Sequence, residues 1–232
     1  MKQKETLLNS AGIDLNQAID DIGDEHISSS YDTPLREDAF EMDDDLKMEL
    51  IEKHFKEIMH ILGMDLKDDS LKGTPKRVAK MFVKEVFSGL DPKNKPDIKL
   101  FENKYKYSEM LVEKDITFFS HCEHHFVPIY GKAHVAYISN GNVIGLSKIN
   151  RIVQYFAKRP QVQERLTVQI GNELKNALGT DDVAVIMDAD HMCVSSRGVN
   201  DTSSSTVTSF YSGQFEHDQK RNEFLKYISL SR

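Results

Sequence analysis

Cysteine is scarce. The chain has 232 residues and only two cysteines, Cys122 and Cys193. Two thiols cannot build a disulfide framework, and a reducing compartment leaves them free for a metal or for catalysis. No apolar run is long enough to span a bilayer, and the opening MKQKETLLNSAGIDLNQ lacks the apolar stretch of a secretion signal. Both absences point to the cytoplasm and away from a membrane partner. There is no repeat of solenoid period, no G-x-x-x-x-G-K-[ST] phosphate loop and no Asp-led magnesium motif. These absences argue against phosphate cleavage of the kind those motifs support. A positive excess is lacking too. Net charge is −7, and residues 1–45 carry 13 acidic against 3 basic side chains, a net of −10 that leaves +3 for the rest. That slight excess, with no aromatic-basic module beside it, argues against nucleic acid.

The sequence divides into three parts. Residues 1–45 read as an acidic, flexible or loosely docked arm that chemistry can do without. Residues 46–95 read as helical. Leu46, Leu50, Phe55, Ile58, Met59 and Leu62 recur at helical steps before Gly63, and GTPKRVAKMFVKEVFSGL suggests Thr74 as N-cap, Pro75 at the first position and Gly89 past the end. Residues 96–232 alternate differently. Strands are expected near 109–119 and 126–138, helices near 148–158 and 162–178, strands near 182–189 and 205–215, and a short helix at NEFLKYI. The β-β-α-α-β-β order favours an α+β fold with both helices on one face of an antiparallel sheet. The other face then needs burial, which favours association with further subunits.

The segment SHCEHHF, residues 120–126, holds three histidines, a glutamate and Cys122, and Cys193 follows His125 by 68 residues. Thiolate and imidazole suit zinc, with three ligands for a catalytic site and four for a structural one. His121, His124 and His191 could each supply a further ligand, and spacing does not choose among them. Unmetallated polar residues remain a third reading. A zinc deaminase is excluded, because its H-x-E and P-C-x-x-C pattern is missing. A Cys-His hydrolase would leave Cys193 unexplained. Arg77 and Lys80 share a helix face, as do Lys148 and Arg151, with Ser147 as the expected N-cap of the second helix. Alone, such pairs read as solvated faces. Likewise Glu164, with Gln163 before it, reads as a match to a helix dipole.

The segments CEHHFVPIYGKAHVAYI, VIGLSKINRIVQYFAKRPQVQERLT and DHMCVSSRG resemble the GTP cyclohydrolase I family, and TPKRVAKMFVKEVFSGLD matches it as well. The resemblance runs from about Thr74 to the C-terminus and does not reach residues before about Leu46. It implies the tunnelling fold, in which β-β-α-α-β-β units preceded by helices join into barrels, here a homodecamer of two stacked pentamers. It implies one zinc per subunit on Cys122, His125 and Cys193, with His124 and His191 left for acid-base work and His121 outside the motif. Lys148, Arg151 and Arg197 correspond to residues that hold the GTP triphosphate. Ser147, Arg77 and Lys80 contribute to the same region, some across a subunit boundary. Glu164 becomes the guanine anchor, with Gln163 beside it. The implied reaction converts GTP and water to 7,8-dihydroneopterin triphosphate and formate. In it a zinc-activated water attacks guanine C8, and His191 protonates N7. Two alternatives are the fold-related nitrile reductase of queuosine synthesis and an inactive zinc-stabilised scaffold. The complete Cys122, His125, Cys193 set weighs against the first. Intact His124, His191, Lys148, Arg151 and Glu164 weigh against the second.

Overall fold

The computed structural model describes residues 30–230. Most of the acidic arm expected over 1–45 lies outside the described residues. Its end, from Asp32, is docked. Asp32 accepts a hydrogen bond from Gln169 at 2.5 Å, and Leu35, Ala39 and Phe40 help to line an apolar groove of about 490 Å³. Helix α1 (Asp44–Ile61) follows, and its N-cap Asp43 accepts from the Leu46 amide. Helix α2 (Thr74–Met81) packs beside it. Here the N-cap is Gly73, so the helix begins at Thr74, one residue earlier than expected. The helical path then widens into a π turn, Phe82–Val86, and tightens into a 3₁₀ turn, Ser88–Leu90. Gly89 is needed for close approach. Its amide donates to Lys158 O at 2.9 Å, and a Cβ there would lie 2.0 Å from Tyr155 O.

The sheet is built from β2 (Met110–Cys122), β3 (Pro128–Ile138), β5 (Pro160–Gln161), β6 (Val183–His191) and β7 (Thr206–Tyr211), in the order β5-β2-β3-β6-β7. All pairs are antiparallel except β2 with β5. A separate ribbon joins β1 (Leu100–Glu102) to β4 (Asn142–Ile144). Helices α3 (Leu146–Ala157) and α4 (Gln163–Leu178) lie on one face. Their Ile149, Ile152, Leu166, Ile170 and Leu174 are buried against Phe118, Ala133, Val135, Val185 and Met187. Gly179 closes α4 at φ 64°, a conformation that glycine adopts freely. Among the described residues, no helix is long and apolar enough to cross a membrane.

The other face is not wholly bare. A 3₁₀ turn, Gly213–Glu216, and the C-terminal helix Asp218–Ser229 set Phe215 and Phe224 against Met110, Ala136, Ile138, Ala184 and Ile186. A β-bulge between Glu113 and Ile116 makes this division work. The extra residue sits at Asp115, φ 60°, and switches the faces of β2, so Met110 meets the C-terminal helix while Ile116 and Phe118 meet α3 and α4. Past the bulge, Phe119 and Tyr130 stack at 6.1 Å and stay exposed within one chain.

Candidate metal centre and its surroundings

Strand β2 ends on Cys122, and the chain turns at once. Phe126 N donates to Cys122 O at 2.8 Å, and Cys122 N donates to Val127 O at 2.9 Å. Closing so tightly puts Phe126 at φ 55°, unusual for a residue with a side chain. Phe87, from just past the π turn, packs on Phe126 at 5.1 Å. The turn presents His124 and His125, whose Nδ1 atoms lie 3.6 and 3.8 Å from Cys122 Sγ.

The second half arrives on β6. Register pairs His191 with Ile129, so β6 ends beside the turn, and a single helical turn, Met192–Ser195, carries Cys193. Ligand atoms of Cys122, His125 and Cys193 all lie within 4.8 Å of one another. Two thiols and an imidazole at that spacing suit a thiophilic divalent metal and leave a fourth position open. Burial and the neighbouring Cys122 push the Cys193 thiol up to about 11. A bound cation would reverse that by stabilising the thiolates.

Arg197 Nη1 lies 2.9 Å from His125 Nε2. An imidazole that gives one nitrogen to a metal carries its proton on the other, so this bond belongs to the metal-free form. His125 is held below the ordinary histidine range by burial, then by Arg197 and His124.

His191 is fixed by Gln163. The Gln163 amide nitrogen donates to Met187 O, Thr206 O and Thr208 Oγ1 at 3.2, 2.9 and 3.1 Å. Carbonyls only accept, so the other end of the amide must be Oε1, which accepts from His191 Nε2 at 2.6 Å. Neutral His191 therefore keeps its proton on Nε2 and leaves Nδ1 open. Burial lowers its pKa, against the opposing pull of Glu164 and Asp190. Gln163, expected at the substrate, is 1% exposed and reaches the site through His191. Glu164 is exposed on the first turn of α4.

The remaining cations lie elsewhere on the chain. Ser147 is not the N-cap of α3. Gly145 is, because the chain enters helical geometry one residue before Ser147. Helix α3 runs alongside β2 in the same direction. Asn150 bonds Glu113, Gln154 bonds Thr117, and Ser120 bonds Arg159. Ser147, Lys148 and Arg151 thus sit near the start of β2, while Cys122 is nine residues beyond Glu113, roughly 30 Å at ~3.3 Å per residue. Lys148 donates to Asp97 O. Arg77 is engaged with Ser70 O and Thr74 Oγ1, and Lys80 faces a groove lined by Asp45, Glu49 and Glu52 of the α1 end of the chain. The start of α3 and the cysteine-bearing end of β2 thus lie at opposite ends of the strand.

A family model described as GTP cyclohydrolase I matches residues 51–229. The chain belongs to the GTP cyclohydrolase I family. It is 62% identical over 212 residues to GTP cyclohydrolase 1 of Flavobacterium johnsoniae, covering 91% of this chain and 95% of that one. Identity to GTP cyclohydrolase 1 of Citrobacter koseri is 54% over 203 residues, 87% of this chain and 91% of the relative. For GTP cyclohydrolase 1 of Erwinia tasmaniensis it is 55% over 203 residues, 87% and 92%. The GTP cyclohydrolase I match begins within α1, earlier than the Thr74 reached by motif resemblance, and includes every candidate site residue. The sheet with α3 and α4 on one face is the tunnelling-fold unit expected for this family.

Sequence reasoning did not single out Glu123 and Arg165. Arg165 is buried in the first turn of α4 and grips Glu123 with Nη1 and Nη2. They stand 42 residues apart, and one charge of each sign at that distance carries no pairing signal in a single sequence.

Proposed function

We propose that the chain converts GTP and water to 7,8-dihydroneopterin triphosphate and formate, with one zinc ion per subunit held by Cys122, His125 and Cys193. The observation that carries this reading is the convergence of those three side chains from two separate segments, beside two further histidines and an arginine. Zinc, when bound there, supplies a Lewis acid that makes water nucleophilic near neutral pH. Water attacks guanine C8, and His191, held by Gln163 with Nδ1 open, takes the proton of that water on Nδ1 and passes it to N7 as the ring opens. His124 assists from the turn that carries Cys122 and His125. Formate leaves after a second hydrolysis, and the ribose rearranges and closes onto the freed amines.

Glu164 accepts from guanine N1–H and the 2-amino group. Arg197 holds triphosphate from the chain that supplies the cysteines. Ser147, Lys148 and Arg151, at the other end of β2 from Cys122, serve a neighbouring chain's site together with Arg77 and Lys80. The protein is then a homo-oligomer, a decamer of two stacked pentamers, working in the cytoplasm. The helical part over 46–95 and the catalytic part over 96–232 act together, with 1–45 as an appended arm. Incubation with GTP, read by pterin fluorescence alongside metal analysis, tests the reading. A zinc-loaded oligomer that leaves GTP untouched rules it out.

A further inference from the structure

Glu123 lies inside the turn that carries Cys122, His124 and His125, yet its carboxylate is taken. Arg165 Nη1 is 2.5 Å from Oε2 and Nη2 is 3.2 Å from Oε1. Two parallel bonds fix both the plane and the place of a carboxylate. The Arg165 side chain is 3% exposed and that of Glu123 17%, so either charge would be stranded without the other. Two more ties join the turn to the same segment. Glu123 N donates to Gln161 O at 3.0 Å, and Cys122 pairs with Gln161 in β5. Gln161 is itself buried and bonded to Phe156 O and Gln169 Oε1. Two residues before Arg165, Gln163 holds His191 at the end of the strand that leads to Cys193. The first turn of α4 therefore grips both segments that bring the ligand atoms together.

We propose that Arg165 is a positioning residue of the metal site. Through Glu123 it holds Cys122 and His125 at the spacing a metal requires. It also keeps the Glu123 carboxylate, next in sequence to a ligand, from filling the fourth position that catalysis needs open. This rests on the metal role given above to Cys122, His125 and Cys193.

The test uses the full-length protein and two readouts. One is zinc affinity by competition with a chromophoric chelator; the other is the visible spectrum of the cobalt-substituted form. Arg165→Met should weaken zinc roughly 10- to 100-fold, the usual effect of losing a partner behind a ligand, and should shift the cobalt bands as the carboxylate enters. Arg165→Lys keeps the charge but not the fork, so its loss should be intermediate. Glu123→Gln should also weaken zinc, without the new cobalt bands. A purely structural role would lower thermal stability and leave zinc affinity alone. Wild-type affinity and spectrum in folded Arg165→Met overturn the proposal; if that variant does not fold, wild-type affinity in both milder variants does so. Cys193→Ser separates the two levels of argument. If it keeps wild-type affinity, the metal reading itself fails.

Discussion

Glu164 stands exposed between two buried neighbours, Gln163 and Arg165, at the N-terminus of α4. Its neighbours are fully committed to protein partners, which leaves Glu164 as the side chain of that turn free to meet a base. Guanine offers N1–H and a 2-amino group to one carboxylate. Adenine offers neither, and a charged acceptor left unpaired costs at least ~1–3 kcal/mol. ATP should therefore be rejected strongly, and inosine triphosphate, which keeps N1–H alone, should bind between the two. Glu164→Ala should weaken GTP most and narrow the gaps between the three nucleotides, as titration of each against wild type and variant would record. Unchanged selectivity in a folded, zinc-loaded variant would leave Glu164 with a helix-end role only.

At the scale of elements, the bulge in β2 has its own latch. His134 Nδ1 accepts from the Asp115 amide at 3.2 Å. Burial lowers the His134 pKa; Asp115 and Asp188 oppose this, while Lys114 and Lys132 reinforce it. The folded state therefore binds a proton there less readily than the unfolded chain. Stability from this group is present above the unfolded value of about 6.5 and falls as pH drops through it. A protonated ring also cannot accept from Asp115. His134→Asn keeps an acceptor near the Nδ1 position and removes the titration. Urea melts of wild type and variant from pH 8 to pH 5 should therefore show a shallower loss for the variant; equal slopes would remove His134 from the account.

The same scale shows what a sequence reveals. Alternation in β3, the caps of α1 and α4 and the apolar stripe of α4 are local patterns, so the β-β-α-α-β-β order could be read directly. The bulge could not, because Lys114 and Asp115 resemble any polar pair in a strand. Nor could β5, two residues long, or the cover supplied by Phe215 and Phe224. Cys122, His125 and Cys193 were legible as candidates because thiols are rare and chemically marked. Their choice over His121, His124 and His191 came from family resemblance. The hold of Gln163 on His191 was not legible, because its amide partners, Met187, Thr206 and Thr208, come from two other strands.

At the scale of the whole molecule, the arm and the site are less separate than composition suggests. Leu35, Ala39 and Phe40 share their groove with Phe126, which follows His125 directly. A chain starting at Asp32 should match the full protein in zinc content, turnover and melting temperature. One starting at Asp45 also loses the Asp43 cap, worth about 1 kcal/mol, and the wall beside Phe126. It should melt earlier and hold zinc more weakly. Equal behaviour of the two truncations would return 32–44 to the status of a tail.

The proposed sharing of active sites between chains makes a second expectation. In the proposed oligomer, an inactive Arg77→Ala chain and an inactive His191→Ala chain fail at positions that different subunits contribute to one site. Mixing them under conditions that exchange subunits should restore part of the activity, and a mixture that stays dead would place both residues in one chain's site.

The separation along β2 between the start of α3 and Cys122 also has a genetic side. In the proposed oligomer, a chain that has lost both its cysteine-bearing end and its cationic end can contribute to no intact site, yet it still takes its place in the assembly. There it spoils the half-sites of the normal chains on either side. A defective allele of this kind should be dominant over an intact one. Coexpression of wild type with a Cys122→Ser, Arg151→Ala chain should lower activity per wild-type chain, whereas independent sites would leave that figure unchanged.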